Sequence, residues 1–174
     1  KHGEGKIRFS LTNSSKTVKD IWIRVPGDYN VLNAAAAYVV GKFLGLTDVV
    51  LKKGLWEYSG CSRRFEFVGE GHGVTIVDDY AHHPKEIKAV LAAARKWYPS
   101  RRVVAVFQPH TYSRTKALFA DFTSSFEDAD VAAFMDIYSS AREKKDESVR
   151  SEKLAQETKK VKKESYYIGG HQQA

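Results

Sequence analysis

The feature that most restricts this chain is the alternation, after residue 62, of short β-branched runs with amphipathic helical runs. The stretch VTIVDDYAHHP at residues 74–84 sets the pattern. Val74, Ile76 and Val77 read as a strand, and two carboxylates, a tyrosine and two histidines follow without a spacer. Pro84 stands where a helix can begin, since its missing N–H is not needed at the first helical position. The residues after it place Ile87, Val90, Leu91 and Ala94 at helical spacing. A strand over 102–107, a helix over 112–126 with Leu118, Phe119 and Phe122 inward, a strand over 130–138, a helix over 151–161 and a short strand over 165–168 continue the series. FEFVGE and GVTIVDDY read as two strands joined by the turn GEGHG. Repeating βα units of this length predict an α/β fold with a largely parallel sheet flanked by helices.

The front of the chain has a different rhythm. Residues 5–25 alternate with period two around TNSSK, as a hairpin does. From Asn30 a helical run carries Leu32, Ala35, Ala36, Val39, Val40 and Phe43 on one stripe, with Asp28 or Asn30 able to cap it and Gly45 able to end it. A shorter helix over 47–56 starts from a Thr47 or Asp48 cap. The small, polar residues 59–62 read as a linker, which divides the chain into residues 1–62 and 63–174.

Composition narrows the function classes. The chain has 174 residues and is 43% hydrophobic, enough for a core, and no apolar run is long enough to span a membrane. KHGEGK is followed by no apolar segment, and Cys61 is the single cysteine, so a reducing, cytoplasmic setting is the expectation. Of the net charge of +7, an excess of +4 lies between Arg142 and Lys163, nine basic against five acidic residues. Such mixed signs describe a solvated helix face rather than a nucleic-acid surface. The remainder suits a small polyanion such as a nucleotide.

Two strand ends carry the chemistry. Residues 78–83 follow one strand and QPHTYSR, residues 108–114, follow the next. With those strands as neighbours in a parallel sheet, both loops open on one edge, and Tyr80, His82, His110 and Arg114 converge beside two helix N-termini. Such a crevice favours anions, and Arg114 can grip a carboxylate or phosphate with paired bonds. The bland alternative is that Tyr80 and the histidines only cap helices and satisfy loop backbone. No metal is assigned to Asp78, Asp79, His82, His83 and His110, because no histidine pair has the i, i+4 spacing of a helical ligand set. A hydrolytic triad lacks its GxSxG elbow, so no catalytic nucleophile is assigned. Asn30 fits a helix cap, whereas Asn33, one turn on, can offer its amide to a base edge or a ribose hydroxyl. Arg63 and Arg64 at the linker either reach phosphate or are surface charge.

Taken together, VPGDYNVLNAAAA, SRRFEFVGE, VDDYAHHPKEI, VFQPHTYSRT and DIYSSAREK resemble the Mur ligase family, in family order from residue 25 to about residue 144. DDYAHHP with QPHTYSRT is similar to the member that joins L-alanine to UDP-N-acetylmuramate in peptidoglycan precursor synthesis. The resemblance implies an ATP-dependent, amide-forming ligase. ATP phosphorylates the lactyl carboxylate, and the amine of L-alanine attacks the acyl phosphate. Residues 1–62 are then the end of a central ATP-binding domain, and residues 63–174 a truncated Rossmann-like ligase domain. Asn30, Asn33, Arg64 and Asp79 match family positions that contact ATP. Tyr80, His82, His110 and Arg114 match positions around the incoming amino acid, with Asp78, His83 and Arg63 in supporting roles.

The departures matter as much. No GxxxxGK[ST] phosphate loop occurs, nor do the family's magnesium ligands or its UDP-binding domain, so the chain by itself is expected to lack ligase turnover. Position 111 is Thr where many members have Arg, and IGGHQQA departs from the family's final glycine-rich strand. The alternatives are a related recycling ligase that attaches a preformed peptide to the muramate, against which QPHTYSRT argues, and a nucleotide-binding module without catalysis.

Overall fold

In the computed structural model, which describes residues 5–140, 143–162 and 164–170, the contacts divide the chain into two units. The first runs to Tyr80 and takes in Lys96–Pro99; the second comprises Ala81–Arg95 and the residues from Ser100 onward. Ala141 and Arg142 of the DIYSSAREK motif, KHGE at the start and His171–Ala174 of IGGHQQA lie outside the described residues.

The first unit opens with the expected hairpin, β1 (Ile7–Thr12) antiparallel to β2 (Thr17–Ile23). Two helices follow, α1 (Asp28–Phe43) and α2 (Asp48–Glu57). Thr47 caps α2 as expected, its hydroxyl accepting from Val50 N. Gly45 follows α1 at φ 83°, the left-handed turn that ends a helix with least strain in glycine. The start of α1 corrects the expectation. Gly27 at φ 99° is the N-cap with no side-chain cap bond, and the Asn30 amide instead donates back to the Pro26 carbonyl at 2.7 Å.

The buried line of α1 is also different from the stripe read in the sequence. Ala34, Tyr38 and Gly41 face inward, while Leu32, Val39, Val40 and Phe43 are exposed, Phe43 at 90%. The helix is apolar nearly all round, so spacing alone could not choose its face. Contact chose it: Tyr38 packs with Ile21 and Leu51, and Ala34 with Ile23 and Val25. A Cβ at Gly41 would overlap the Leu51 side chain, so the missing side chain is what lets the two helices close.

A second hairpin, β3 (Glu66–Gly71) with β4 (Val74–Asp78), completes this unit. His72 and Gly73 make its turn at φ 50° and 78°, both in the left-handed region as a two-residue primed turn requires.

The second unit holds the parallel sheet, ordered β5 (Val104–Phe107), β6 (Val131–Met135), β7 (Ser165–Gly169). Parallel pairing demands crossovers, and helices supply them. α4 (Tyr112–Ala117) and α5 (Phe119–Thr123) link β5 to β6, and α6 (Ser151–Val161) links β6 to β7. Most of α3 (Pro84–Trp97) belongs here too. The central strand β6 is buried from Val131 to Phe134, on both faces, as a covered parallel strand should be. Around it Phe107, Phe122, Phe126 and Phe134 form an aromatic cluster with Ile87, Leu91 and Leu154. The single helix expected over 112–126 is broken at Leu118, φ −111°. Leu118 and Phe119 both pack against this core, and an unbroken helix would turn adjacent residues about 100° apart.

Candidate functional site

The premise that the strands before DDYAHHP and QPHTYSR are sheet neighbours is not what the chain adopts. Among the described residues β4 pairs with β3, and β5 pairs with β6. The tight turn at residues 72 and 73 sets the antiparallel pairing of β4 with the preceding strand. The partner of the QPHTYSR loop is therefore the loop after β6. The predicted residues fall into a group in each unit.

In the first unit, Tyr29 stands at the start of α1. Its hydroxyl is pushed above the ordinary tyrosine range by burial and then by the Asp79 carboxylate, with Arg64 opposing. Asp79 Oδ2 accepts from Phe65 N at 2.8 Å, and Tyr80 N donates to the Arg63 carbonyl at 2.9 Å. These bonds tie down a loop in which Arg63 and Phe65 have φ of 57° and 49°. Such backbone persists only where its surroundings over-determine it. Asp79 thus has a structural duty beside any ligand contact. Arg63 and Arg64 lie over the Tyr80 ring at 4.8 and 6.0 Å, and Arg63 also pairs with Asp78 at 3.2 Å. Asn33 donates to Asn30 Oδ1 at 3.1 Å. Within one unit, then, Asn30 and Asn33 stand at the start of α1, and Arg64 and Asp79 flank the second hairpin.

In the second unit, His82 and His83 lie at the start of α3. Both backbone amides donate to Glu86 Oε2, at 3.0 and 3.2 Å, and His83 Nδ1 accepts from Lys85 N. The capping alternative therefore holds for His83. The His82 ring faces the same carboxylate at 3.6 Å. His110 stacks on Tyr138, ring centroids 5.5 Å apart and 17° from parallel. Backbone bonds bind the two loops on either side, Thr111 N to the Tyr138 carbonyl at 2.9 Å and Tyr138 N to the Pro109 carbonyl at 2.8 Å. Thr111 caps α4, its hydroxyl accepting from Arg114 N at 3.4 Å.

The helix N-termini expected to attract an anion are already filled from within. Glu86 takes that of α3. Glu143 takes that of α4, accepting from Tyr112 N at 2.7 Å and Ser113 N at 2.8 Å. The Ser113 hydroxyl, these amides and the nearby His110 hold the Glu143 carboxyl below its ordinary range. The half-buried Arg114 guanidinium has no hydrogen bond or ion pair among the described residues, so it is a cation still able to take a carboxylate. Glu86 had a sequence signal, a Glu three residues after the capping position. Tyr138 and Glu143 lie in DIYSSAREK, but nothing in that stretch marks their partners, because they reach the loop across a strand pair. Magnesium does not fit the residues here: among the described residues no three His, Cys, Asp or Glu gather, and Asp78 and Asp79 are engaged as above.

The family model for the Mur ligase, glutamate ligase domain, matches residues 63–174. A UDP-N-acetylmuramate–L-alanine ligase of Lachnoclostridium phytofermentans is 48% identical over 164 residues, which are 94% of this chain and 34% of that protein. A crystal structure of UDP-N-acetylmuramate-alanine ligase from Thermotoga maritima matches at a TM-score of 0.76 and 25% identity, over 95% of this chain and 36% of that one. A murein peptide ligase from Psychrobacter arcticus shares the fold, at a TM-score of 0.55 and 20% identity over 90% of this chain and 32% of its own. The chain spans about a third of the length of the curated relatives it matches. No helix among the described residues is long and apolar enough to cross a membrane.

Proposed function

Because the chain belongs to the Mur ligase family, through the glutamate ligase domain at residues 63–174, we propose that it is the carboxyl-terminal part of an ATP-dependent ligase joining L-alanine to UDP-N-acetylmuramate in the cytoplasm. Residues 1–62 belong to the central ATP-binding domain and residues 63–174 to the ligase domain, and the rest of the enzyme supplies the phosphate loop and the magnesium ligands. The exposed apolar residues of α1 support this, since a face with Leu32, Val39, Val40 and Phe43 uncovered suits burial by further protein.

The observation that carries the reading is Arg114. It lies half-buried in the first turn of α4, just after the loop with His110, and among the described residues it has no anionic partner. It takes the carboxylate of the incoming alanine, with His110 and His82 serving the amine. Asn30, Asn33, Arg64 and Asp79 attend the nucleotide, Arg64 by charge and the Asn33 amide by hydrogen bonding. ATP supplies the activation of the lactyl carboxylate as an acyl phosphate. The residues of this chain contribute orientation, which together with charge neutralisation supplies most of the rate of such a transfer.

The test is Arg114→Ala in the full-length ligase. Loss of a charged pair worth about 1.5–3 kcal/mol should raise KM for L-alanine by roughly 10- to 100-fold. The KM values for ATP and UDP-N-acetylmuramate should change little. An unchanged KM for L-alanine refutes the carboxylate grip, and a preference for a tripeptide over L-alanine would assign the recycling activity instead.

A further inference from the structure

Glu143 has no role in the reading above, yet it makes two short hydrogen bonds to backbone in the second unit. Its two carboxylate oxygens divide their work: Oε2 accepts from Tyr112 N at 2.7 Å, and Oε1 accepts from Ser113 N at 2.8 Å. The next amide, Arg114 N, goes to the Thr111 hydroxyl at 3.4 Å. The first-turn donors of α4 are thus met by the protein itself. The carboxylate comes from the loop after β6, so it fastens that loop to the one after β5.

What it fastens is strained. Thr111 has φ 69° and ψ 138°, a conformation that a β-branched residue adopts only under constraint from its surroundings. The constraint has three parts: the Thr111 and Tyr138 backbone bonds, the His110–Tyr138 stack, and the Glu143 clamp. The first two hold the residues before Thr111. Beside the Thr111 cap on Arg114 N, Glu143 holds the two amides that follow Thr111, the second of them one residue from Arg114.

We propose that Glu143 is a positioning residue for the ligation reaction, a carboxylate that clamps the first turn of α4 so that Arg114 and His110 present a set geometry to the incoming amino acid. The proposal rests on the reading of Arg114 as the carboxylate grip. It also explains why a loop built to bind an anion carries a carboxylate at a helix start: the charge is spent on backbone amides, leaving the guanidinium alone to face the substrate.

The test compares Glu143→Ala, Glu143→Gln and Arg114→Ala in the full-length ligase. Misplacing the grip should raise KM for L-alanine about tenfold in Glu143→Ala, with KM for ATP and UDP-N-acetylmuramate within about twofold. Glu143→Gln keeps one amide acceptor and should raise it about threefold, a partial rescue. Amide exchange should accelerate at Tyr112 and Ser113 in Glu143→Ala and stay unchanged in β5–β7. If Glu143→Ala fails to fold, the glutamine variant carries the comparison. The proposal is overturned if KM for L-alanine is unchanged in the Glu143 variants while Arg114→Ala raises it; the grip then stands without the clamp. It is overturned equally by a uniform loss across all substrates, which marks a structural role only. If Arg114→Ala itself leaves KM for L-alanine unchanged, the underlying reading fails.

Discussion

Phe134→Ala is the substitution that most directly tests the core of the second unit. The ring is fully buried, edge-on to Phe126 at 4.9 Å and to Phe107 at 6.3 Å. Returning a phenylalanine side chain to water costs about 1.5–3 kcal/mol in transfer alone. Phe107 lies on the neighbouring strand and Phe126 beyond α5, so the void is walled from separate elements and closes only in part. The cavity raises the expected cost to about 3–5 kcal/mol. Phe134→Leu refills most of the volume and forfeits the two ring pairs, each worth about 0.5–1.5 kcal/mol, so it should cost about 1–3 kcal/mol. Native-state amide exchange at Ala105, Phe107 and Ala132 reads the opening of this sheet directly, without unfolding other parts of the protein. A cost below about 1.5 kcal/mol for alanine, or equal costs for the two variants, refutes the assignment of this cluster as the structural centre.

Two further outcomes test other parts of the chain. Gly41→Ala should gain up to about 1 kcal/mol of helix propensity and lose about 1–3 kcal/mol to overpacking against Leu51, so exchange protection in α1 should fall; a rise contradicts the close α1–α2 contact. The Asp146 carboxyl is held down to about 2 by the Ser148 hydroxyl, then by Lys116 at 2.9 Å and Ser148 N. A depressed carboxylate stabilises above its unfolded value, so its contribution should be full above about pH 4 and be lost as pH falls to about 2. A carbon-detected titration should place the Asp146 midpoint near 2, and Lys116→Ala should move it upward; a midpoint near the ordinary value in the unsubstituted protein contradicts the clasp.

Element identity was largely legible because it follows from local pattern. The hairpin over β1 and β2, the Thr47 cap, the start of α3 at Pro84 and the β5–α–β6–α–β7 series all rest on residues within a few positions of one another. The errors share a cause. The inward face of α1, the break at Leu118 and the partner of β4 each depend on what packs opposite, and periodicity carries no information about that. In the candidate site, the residue types that would hold an anion were visible, while the groups that hold those residues in place were not.

By itself, then, the sequence determined the α/β class, the order of strands and helices, and the family, through QPHTYSRT and DDYAHHP. Only the tertiary structure decided that the loop bearing His110 and Arg114 is bound to the loop after β6, that Glu86 and Glu143 occupy the helix starts, and that Asp79 braces a strained turn. The physical reason is range. Propensity, capping and alternation act within a turn or two of chain, whereas Glu143 reaches Ser113 only because two distant strands have paired and brought their ends together.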